Sequence, residues 1–388
     1  MNVRTGLDIF LSESGRYAKR SIALIANQTS ITPSLEYSWR AFSRLGLRLR
    51  RVFSPEHGLY GTEQDQVPVA GQPGAGPEII SLYGDSINSL RPLEEVLDGI
   101  DTVIFDIQDV GSRYYTYVNT MAMFMESVSG RDLEFVVLDR PNPLGGLAVE
   151  GPSLGPGFES FVGVFHLPVR HGLTAGELAL WYRKRHRLDV NLKITRMMGW
   201  RRSMLYAKTG LPWVAPSPNM PTPGTALVYP GMCLLEGTTL SEGRGSTTPF
   251  EICGAPFIEP EEYAAMLNAQ NIPGVRFRPT YFRPTFNKFA GRTVGGVFLH
   301  LSDPGSFRPF LAGVAVVWAA RRLYGDGCGF PHGVYEFNSS RPAFDLLAGN
   351  DALRGMIEAG ADLKAIAASW ASEEDEFRDQ ANAHQLYD

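Results

Sequence analysis

The chain has 388 residues, of which 44% are hydrophobic and 20% charged, and this balance excludes a disordered chain, a coiled coil and a collagen-like repeat. The formal net charge of −5 gives no broad basic face, so we expect no nucleic-acid partner. The 41 glycines and 27 prolines together make up about 18% of the chain, more than the usual ~12%, and this excess predicts long structured loops.

The first 200 residues alternate short apolar runs with amphipathic stretches. The predicted strands are Ser21–Asn27, Leu49–Phe53, Glu78–Tyr83, Thr102–Ile107, Leu133–Leu138 and Leu192–Met197. The predicted helices are Leu35–Leu45, Pro92–Leu97, Thr116–Val128 and Thr174–Arg187. The last helix opens on a capping pair formed by Thr174 and Glu177. Continuous apolar runs that alternate with helices predict an α/β fold with a Rossmann-like, doubly wound parallel sheet.

The second half of the chain begins with a segment of different composition. Residues 199–254 are dense in Gly, Pro, Ser and Thr, and so long a loop in a compact chain is usually functional. Beyond it we predict helices over Pro260–Ala269, Leu311–Tyr324 and from Pro342 onward, and strands over Val275–Phe282 and Thr293–Leu301. The sequence thus predicts two domains, a Rossmann-like domain over residues 1–225 and a smaller C-terminal α/β domain over 226–388.

Cysteine usage and the N-terminal sequence indicate the cellular context. Cys233, Cys253 and Cys328 form no C-x-x-C motif, so we expect neither a disulfide framework nor a zinc site. The opening MNVRTGLDIFLSESG lacks the basic and apolar regions of a signal peptide, and no apolar stretch approaches ~18 residues. We therefore expect a cytoplasmic protein with no membrane partner.

Polar segments follow three of the predicted strands. Ser54–Gly58 (SPEHG), Gln108–Tyr115 (QDVGSRYY) and Asp139–Pro143 (DRPNP) each come directly after an apolar run. Turn formation explains any one of them, because Asp, Asn, Pro and Gly favour turns. Ligands of open α/β sheets bind beyond the carboxyl ends of the strands. Three such segments at one sheet edge therefore predict a binding site.

Two acidic residues in these segments are the first candidates. Glu56, which follows a buried strand, suits a general acid, although an exposed loop glutamate would have the same sequence context. His57 could orient it. Asp106 lies inside an apolar strand, where a carboxylate has to be paired. Arg113 and Arg140 are the candidate partners, and both a structural and a substrate-binding role for Asp106 stay open.

Further candidates lie in other loops. Glu242 and Arg244 belong to a glycine-rich segment, SEGRGS, which either faces a cleft or forms a plain turn. His171 either reaches the cleft or caps the following helix. Tyr115 and its neighbouring tyrosines either stack on a sugar or belong to the core.

Several chemistries are disfavoured by missing motifs. The sequence contains no G-x-S-x-G nucleophile elbow and no H-E-x-x-H zinc motif. The first predicted strand is not followed by G-x-G-x-x-G, which argues against a dinucleotide despite the Rossmann-like pattern. We therefore expect no cofactor.

Six longer motifs occur along the chain: SPEHG (54–58), DIQDVGSRYYTY (106–117), DRPNPLGG (139–146), VEGP (149–152), PSPNMPTP (216–223) and EGTTLSEGRGSTTPFE (236–251). Together they resemble the exo-β-N-acetylmuramidase (NamZ-like) family, glycoside hydrolase family 171. The resemblance spans the chain from Gly6 to about Tyr387. It implies release of N-acetylmuramic acid from the non-reducing end of peptidoglycan fragments by cleavage of a β-1,4 bond, in a cleft between two domains. It also implies that Glu56 is the catalytic acid.

Glycoside hydrolysis usually requires two carboxyl groups. With Glu56 as the acid, we expect the second to be Glu242 or Glu150. Alternatively, the substrate's N-acetyl group participates, and Asp106 or Asp109 orients it.

The remaining candidates would bind substrate. The lactyl carboxylate of muramic acid is expected to pair with an arginine, because bidentate pairing is strong. The proposed substrate-binding residues are His57, Asp106, Gln108, Asp109, Arg113, Tyr115, Asp139, Arg140, Asn142, His171, Asn219 and Arg244.

Two other functions remain open at this stage. Glu56, His57, Asp106, Asp109 and Asp139 could form the oxygen-rich metal site of a phosphoesterase. A muropeptide-binding module without catalysis would retain the same cleft.

Overall fold

The structure is a computed structural model that describes residues 2–63, 77–84 and 86–388. Its strands are β1 (Ser21–Ala26), β2 (Arg48–Ser54), β3 (Glu78–Ser81), β4 (Thr102–Asp106), β5 (Glu134–Leu138), β6 (Glu150–Ser153), β7 (Pro168–Arg170), β8 (Asn191–Thr195), β9 (Ile252–Ala255), β10 (Val275–Phe282) and β11 (Val294–Leu301). Its helices are α1 (Gly6–Ser12), α2 (Ser38–Arg44), α3 (Thr116–Ser127), α4 (Ala175–Arg185), α5 (Pro223–Met232), α6 (Pro260–Ala269), α7 (Pro309–Tyr324), α8 (Ala343–Ala348), α9 (Ala352–Glu358), α10 (Leu363–Ala368) and α11 (Ala371–Ala381).

A parallel sheet organises the first half of the chain. The strand order is β3-β2-β1-β4-β5-β8, and every pairing between neighbours is parallel. The central strands β1 and β4 are buried along their whole length, because helices cover both faces of the sheet. The predicted Rossmann-like fold is therefore confirmed. The order of the strands reverses between β1 and β4, so the loops after these strands diverge and leave room for a ligand.

Local signals position the helices that flank this sheet. The predicted capping box at α4 is present: the Thr174 hydroxyl accepts from the Glu177 amide, and the Glu177 carboxylate accepts from the Thr174 amide. A second capping box, Thr5 with Asp8, starts α1, which the sequence analysis missed. Among the described residues, no helix has the length and apolarity needed to cross a membrane.

The segment predicted as one long loop contains the helix α5. Thr222 caps it, because its hydroxyl accepts from the Thr225 amide, and Pro223 occupies its first turn. Pro230 lies inside the helix, and because proline has no backbone N–H group, the helix lacks one hydrogen-bond donor there. The density of proline and glycine hid this helix from the sequence pattern, and burial of its apolar residues stabilises it instead.

The second half of the chain builds a smaller sheet in the order β10-β11-β9, with antiparallel pairing. Helix α7 is buried along most of its length and crosses α5 at very short range. A Cβ atom at Gly313 would overlap the carbonyl oxygen of Gly231, and a Cβ atom at Gly231 would overlap that of Pro309. Glycine at both positions therefore permits the close approach of the two helix backbones.

Substitution of Gly313 by alanine should destabilise the protein by about 1–3 kcal/mol, because the added methyl group forces the two helices apart. Urea unfolding followed by circular dichroism measures the change. The matched control is Gly355→Ala in α9, where an added Cβ meets no atom within 4 Å. That control should gain about 0.5–1 kcal/mol from helix propensity. Equal stability of the two variants would contradict the proposed close contact.

Candidate active site

A cavity lies between the parallel sheet and the second half of the chain, beyond the carboxyl ends of β2 and β4. We call it the central cavity. Its walls are formed by Glu56, His57, Tyr114, Tyr115, Thr116, Val162, Ser217, Tyr229, Glu236, Arg244, Phe250, Tyr335 and Glu336. Of the residues predicted from the sequence to form the site, it brings together Glu56, His57, Tyr115 and Arg244.

A tight turn after β2 delivers Glu56 to the cavity. The Gly58 amide donates to the Pro55 carbonyl at 3.1 Å, and His57 adopts a left-handed conformation with φ of 68°. The Glu56 carboxyl is buried, and its Oε2 accepts from the Thr116 hydroxyl at 2.7 Å. Thr116 is the first residue of α3, so the carboxyl lies at the N-terminal end of that helix. The turn and the hydrogen bond together fix the orientation of the Glu56 carboxyl.

A network of charges forms another wall. The Oε1 atom of Glu236 accepts from Arg244 at 2.7 Å, and its Oε2 accepts from the Tyr335 hydroxyl at 2.6 Å. Glu242 lies behind Arg244, at 3.4 Å from its Nε and 3.1 Å from Lys288 Nζ. The structure therefore places Glu242, a predicted catalytic carboxylate, outside the cavity lining and pairs it with the two cations.

A further carboxyl of the cavity belongs to Glu336, a residue that the sequence analysis did not single out. The Tyr83 hydroxyl donates to its Oε2 at 3.0 Å. Glu336 and the following Phe337 have φ angles of 45° and 65°, a left-handed backbone that no sequence pattern indicated. Glu236 was missed as well, although it opens the motif EGTTLSEGRGSTTPFE; its position next to a glycine-rich turn was a usable signal.

Aromatic rings form the apolar wall of the cavity. Tyr229 packs edge-to-face against Tyr115 at 5.6 Å and against Phe250 at 5.0 Å between ring centroids. Arg244 lies over the Phe250 ring at 5.1 Å. A cavity that combines aromatic rings with a few polar groups suits a small polar ligand with apolar faces.

Other predicted site residues support the fold rather than line the cavity. Asp106 pairs with Arg140, whose Nε lies 2.7 Å from Oδ1, and not with Arg113. This choice follows from strand order, because β4 and β5 are neighbours and Arg140 lies two residues after the end of β5. Arg113 instead donates to three backbone carbonyls, those of Pro152, Leu167 and Leu347, and burial lowers its pKa to about 10.

Asp139 also has a scaffolding position. Its carboxylate accepts from the Gly176 amide at the start of α4, from the Thr174 hydroxyl and from the Tyr387 hydroxyl. Burial raises the pKa of Asp139 to about 6. Asn142 forms a turn, since its amide group donates to the Leu173 carbonyl and its oxygen accepts from the Leu144 amide.

The loop after β4 holds two more of the predicted residues. Gln108 donates to the carbonyls of Asp109 and Pro141, which closes the loop onto the segment after β5. Asp109 accepts from the Gly111 amide at 2.7 Å, and burial raises its pKa to about 7. Asn219 is buried in the segment that carries Ser217. Gln108, Asp109 and Asn219 are not among the residues that line the central cavity.

His171 lies beside a different cavity, together with Leu173, Arg202 and Arg378. Its Nδ1 accepts from the Leu173 amide at 3.1 Å. Burial lowers the pKa of His171 to about 3, so the ring is neutral at physiological pH. Its placement does not support contact with a ligand in the central cavity.

Glu150, the other predicted second carboxylate, is directed toward α7. It is buried, and its Oε1 accepts from the Leu311 amide at 2.9 Å, in the first turn of that helix. Arg308 lies 3.6 Å away. Glu150 thus caps α7 and connects the two halves of the chain.

The described residues do not form the metal site that a phosphoesterase would require. Within residues 2–63, 77–84 and 86–388, no group of three or more His, Cys, Asp or Glu side chains is arranged to hold a metal ion. Two of the candidate ligands have other partners: Asp106 pairs with Arg140, and Asp139 accepts hydrogen bonds at the start of α4.

The sheet and the central cavity together define an α/β protein with a cavity rich in carboxyl groups between two parts of the chain. Family models described as the N-terminal and C-terminal parts of the exo-β-N-acetylmuramidase NamZ match residues 22–224 and 227–387. The chain is 40% identical to the peptidoglycan β-N-acetylmuramidase NamZ of Bacillus subtilis (strain 168), over 99% of this chain and 91% of that protein.

Solved structures agree with this similarity. A DUF1343 family protein from Bacteroides fragilis NCTC 9343 superposes with a TM-score of 0.91 at 32% identity, over 100% of this chain and 99% of the other. A second one from the same organism gives 0.78 at 28% identity with the same coverage. The chain belongs to the NamZ family of exo-β-N-acetylmuramidases, as its motifs predicted.

Replacement of Glu150 by glutamine should leave turnover nearly unchanged and alter the pH dependence of stability. Burial raises the pKa of Glu150 to about 7, above the unfolded value of 4.5. The folded state therefore holds the proton more tightly, and stability falls as the pH rises from about 4.5 to 7. This slope approaches about 1.4 kcal/mol per pH unit for one group.

Urea unfolding at several pH values measures this slope. The Glu150→Gln variant should lack the Glu150 part of it, so the two proteins should differ more at pH 8 than at pH 4.5. A loss of turnover beyond about tenfold in a folded variant would instead indicate a catalytic role for Glu150.

Proposed function

We propose that this protein is an exo-acting glycoside hydrolase that releases N-acetylmuramic acid from the non-reducing end of peptidoglycan fragments. One observation carries the proposal: a buried carboxyl, Glu56, lines the same cavity as the guanidinium of Arg244 and an aromatic wall. Family membership gives the substrate class, since the Bacillus subtilis relative is a peptidoglycan β-N-acetylmuramidase. We further propose that residues 1–225 and 226–388 are its two domains.

Glu56 serves as the general acid. Its protonated carboxyl donates to the glycosidic oxygen as the bond to the anomeric carbon breaks, and such proton transfer contributes about 10²–10⁴-fold to a rate. The hydrogen bond from Thr116 and the turn at His57 hold the carboxyl in place. The ring of His57 is itself fixed by a contact between Nδ1 and the Glu63 carbonyl oxygen at 2.9 Å. His57 is thus a positioning residue for Glu56.

Arg244 receives the lactyl carboxylate of the sugar. Of the three arginines considered from the sequence, Arg140 and Arg113 have other places in the fold, whereas Arg244 lines the central cavity. Glu236 and Glu242 hold the guanidinium plane in one orientation. A pre-oriented guanidinium loses less entropy on binding a planar carboxylate.

Glu56→Gln should lower the release of N-acetylmuramic acid from a natural disaccharide by about 10²–10⁴-fold, because the amide cannot donate the proton. The loss should be smaller on 4-nitrophenyl β-N-acetylmuramide, whose leaving group requires little protonation. Glu94→Gln is the matched control, since the Glu94 side chain is 95% exposed.

Steady-state kinetics on the two substrates gives the comparison. Near wild-type release by Glu56→Gln would refute the assignment of the acid. Tight binding of the disaccharide by the wild-type protein without turnover would instead support the muropeptide-binding alternative.

Arg244→Lys should raise KM for the muramide by about 10–100-fold, because a charge-assisted bidentate contact is lost. The matched control is a substrate in which the lactyl carboxylate is a methyl ester, on which variant and wild type should differ little. An equal loss on both substrates would show that Arg244 acts through the fold rather than through the carboxylate.

A further inference from the structure

We propose that Glu336 is the second carboxylate of the reaction and faces the anomeric carbon of the bound sugar. This inference rests on the proposed function and extends it. Among the residues that the structure describes, three carboxyl groups line the central cavity: Glu56, Glu236 and Glu336. Glu56 is the acid, so the choice lies between Glu236 and Glu336.

Glu236 is held in a supporting position. Both of its oxygens accept strong hydrogen bonds, one from Arg244 at 2.7 Å and one from the Tyr335 hydroxyl at 2.6 Å, and the Cys233 thiol lies 3.7 Å from Oε1. A carboxylate that attacks carbon or takes a proton from water would lose part of this pairing. Glu236 therefore acts as a positioning residue that orients Arg244 and the segment leading into Glu336.

Glu336 is presented to the cavity by a strained turn. The backbone of Tyr335 exchanges hydrogen bonds with that of Asn338, at 2.8 and 2.9 Å, and this closes a loop of four residues. Within it Glu336 and Phe337 have φ angles of 45° and 65°. A left-handed conformation costs a residue with a side chain about 1–3 kcal/mol, and such strain clusters at functional sites.

The turn places the Glu336 side chain inside the protein. The residue is 7% exposed although it belongs to a polar loop segment, and Tyr83, which follows β3, donates to its Oε2 at 3.0 Å. A carboxyl from the second half of the chain is thereby fixed against the parallel-sheet half, in the same cavity as Glu56.

Glu56 and Glu336 together account for the proton transfers in hydrolysis of the glycosidic bond. Glu56 gives its proton to the glycosidic oxygen, and the electron pair of the bond between C1 and oxygen goes to that oxygen. The Glu336 carboxylate then takes a proton from a water molecule whose oxygen bonds to C1. Alternatively it bonds to C1 itself. In a second step Glu56, now a carboxylate, takes a proton from a water molecule whose oxygen bonds to C1 and displaces the Glu336 carboxylate. In both routes Glu336 faces the side of C1 away from the leaving group.

The test is chemical rescue of Glu336→Ala with sodium azide on 4-nitrophenyl β-N-acetylmuramide. We expect kcat to fall at least 10²-fold without azide. Azide fills the space of the lost carboxylate, so it should restore nitrophenol release and yield the α-configured muramyl azide, which NMR identifies. Glu236→Ala should lose activity without azide rescue, and Glu94→Ala should match the wild type.

Several outcomes would overturn the proposal. They are near wild-type activity of Glu336→Ala, rescue of Glu236→Ala but not Glu336→Ala, and loss of activity in Glu336→Ala without formation of the azide. The last outcome would favour participation of the substrate's N-acetyl group.

A second variant, Glu336→Gln, tests the proposal if Glu336→Ala does not fold. Glu336→Gln keeps the shape of the side chain, and we expect it to lose the acidic limb of the pH profile of kcat while its thermal unfolding matches the wild type. An unchanged acidic limb would contradict the proposal. A wild-type protein that releases no N-acetylmuramic acid would refute the proposed function itself, which is a separate result.

Discussion

A carboxylate that is removed from water has to be matched by donors inside the protein, and the central cavity depends on this constraint. Glu236 meets it with Arg244 on one oxygen and Tyr335 on the other. These two bonds fix a cation, and they also fix the start of the strained turn. The position of Glu336 therefore follows from how the charge of Glu236 is satisfied.

Elsewhere, too, buried carboxyls that accept hydrogen bonds connect the two halves of the chain. Glu150, next to the parallel sheet, caps α7 of the second half. Glu374 in α11 accepts from the Gly151 amide, and the Tyr387 hydroxyl donates to Asp139. Buried carboxyls thus form several of the hydrogen bonds between the halves. Two predicted site residues are among them: Glu150 accepts from the first turn of α7, and Asp139 accepts from Tyr387.

Much of the fold follows from local sequence patterns. Hydrophobic periodicity, helix-capping residues and strand ends are each encoded within a few residues. The sequence therefore predicted the buried strands, the Thr174 cap of α4 and the position of Glu56 after β2. It could not predict the partner of Asp106, because that partner depends on which strands are neighbours in the sheet. Helix α5 was hidden by its prolines and glycines. Glu336 escaped notice because nothing local indicates a left-handed backbone at a glutamate.

The walls of the central cavity come from segments far apart in the chain, between Glu56 and Glu336. Closing such long loops is entropically costly and slow compared with forming local structure. During refolding, the parallel sheet can assemble from neighbouring βα units before the second half docks. Recovered turnover therefore reports the end of folding, whereas recovered helical circular dichroism reports an earlier stage.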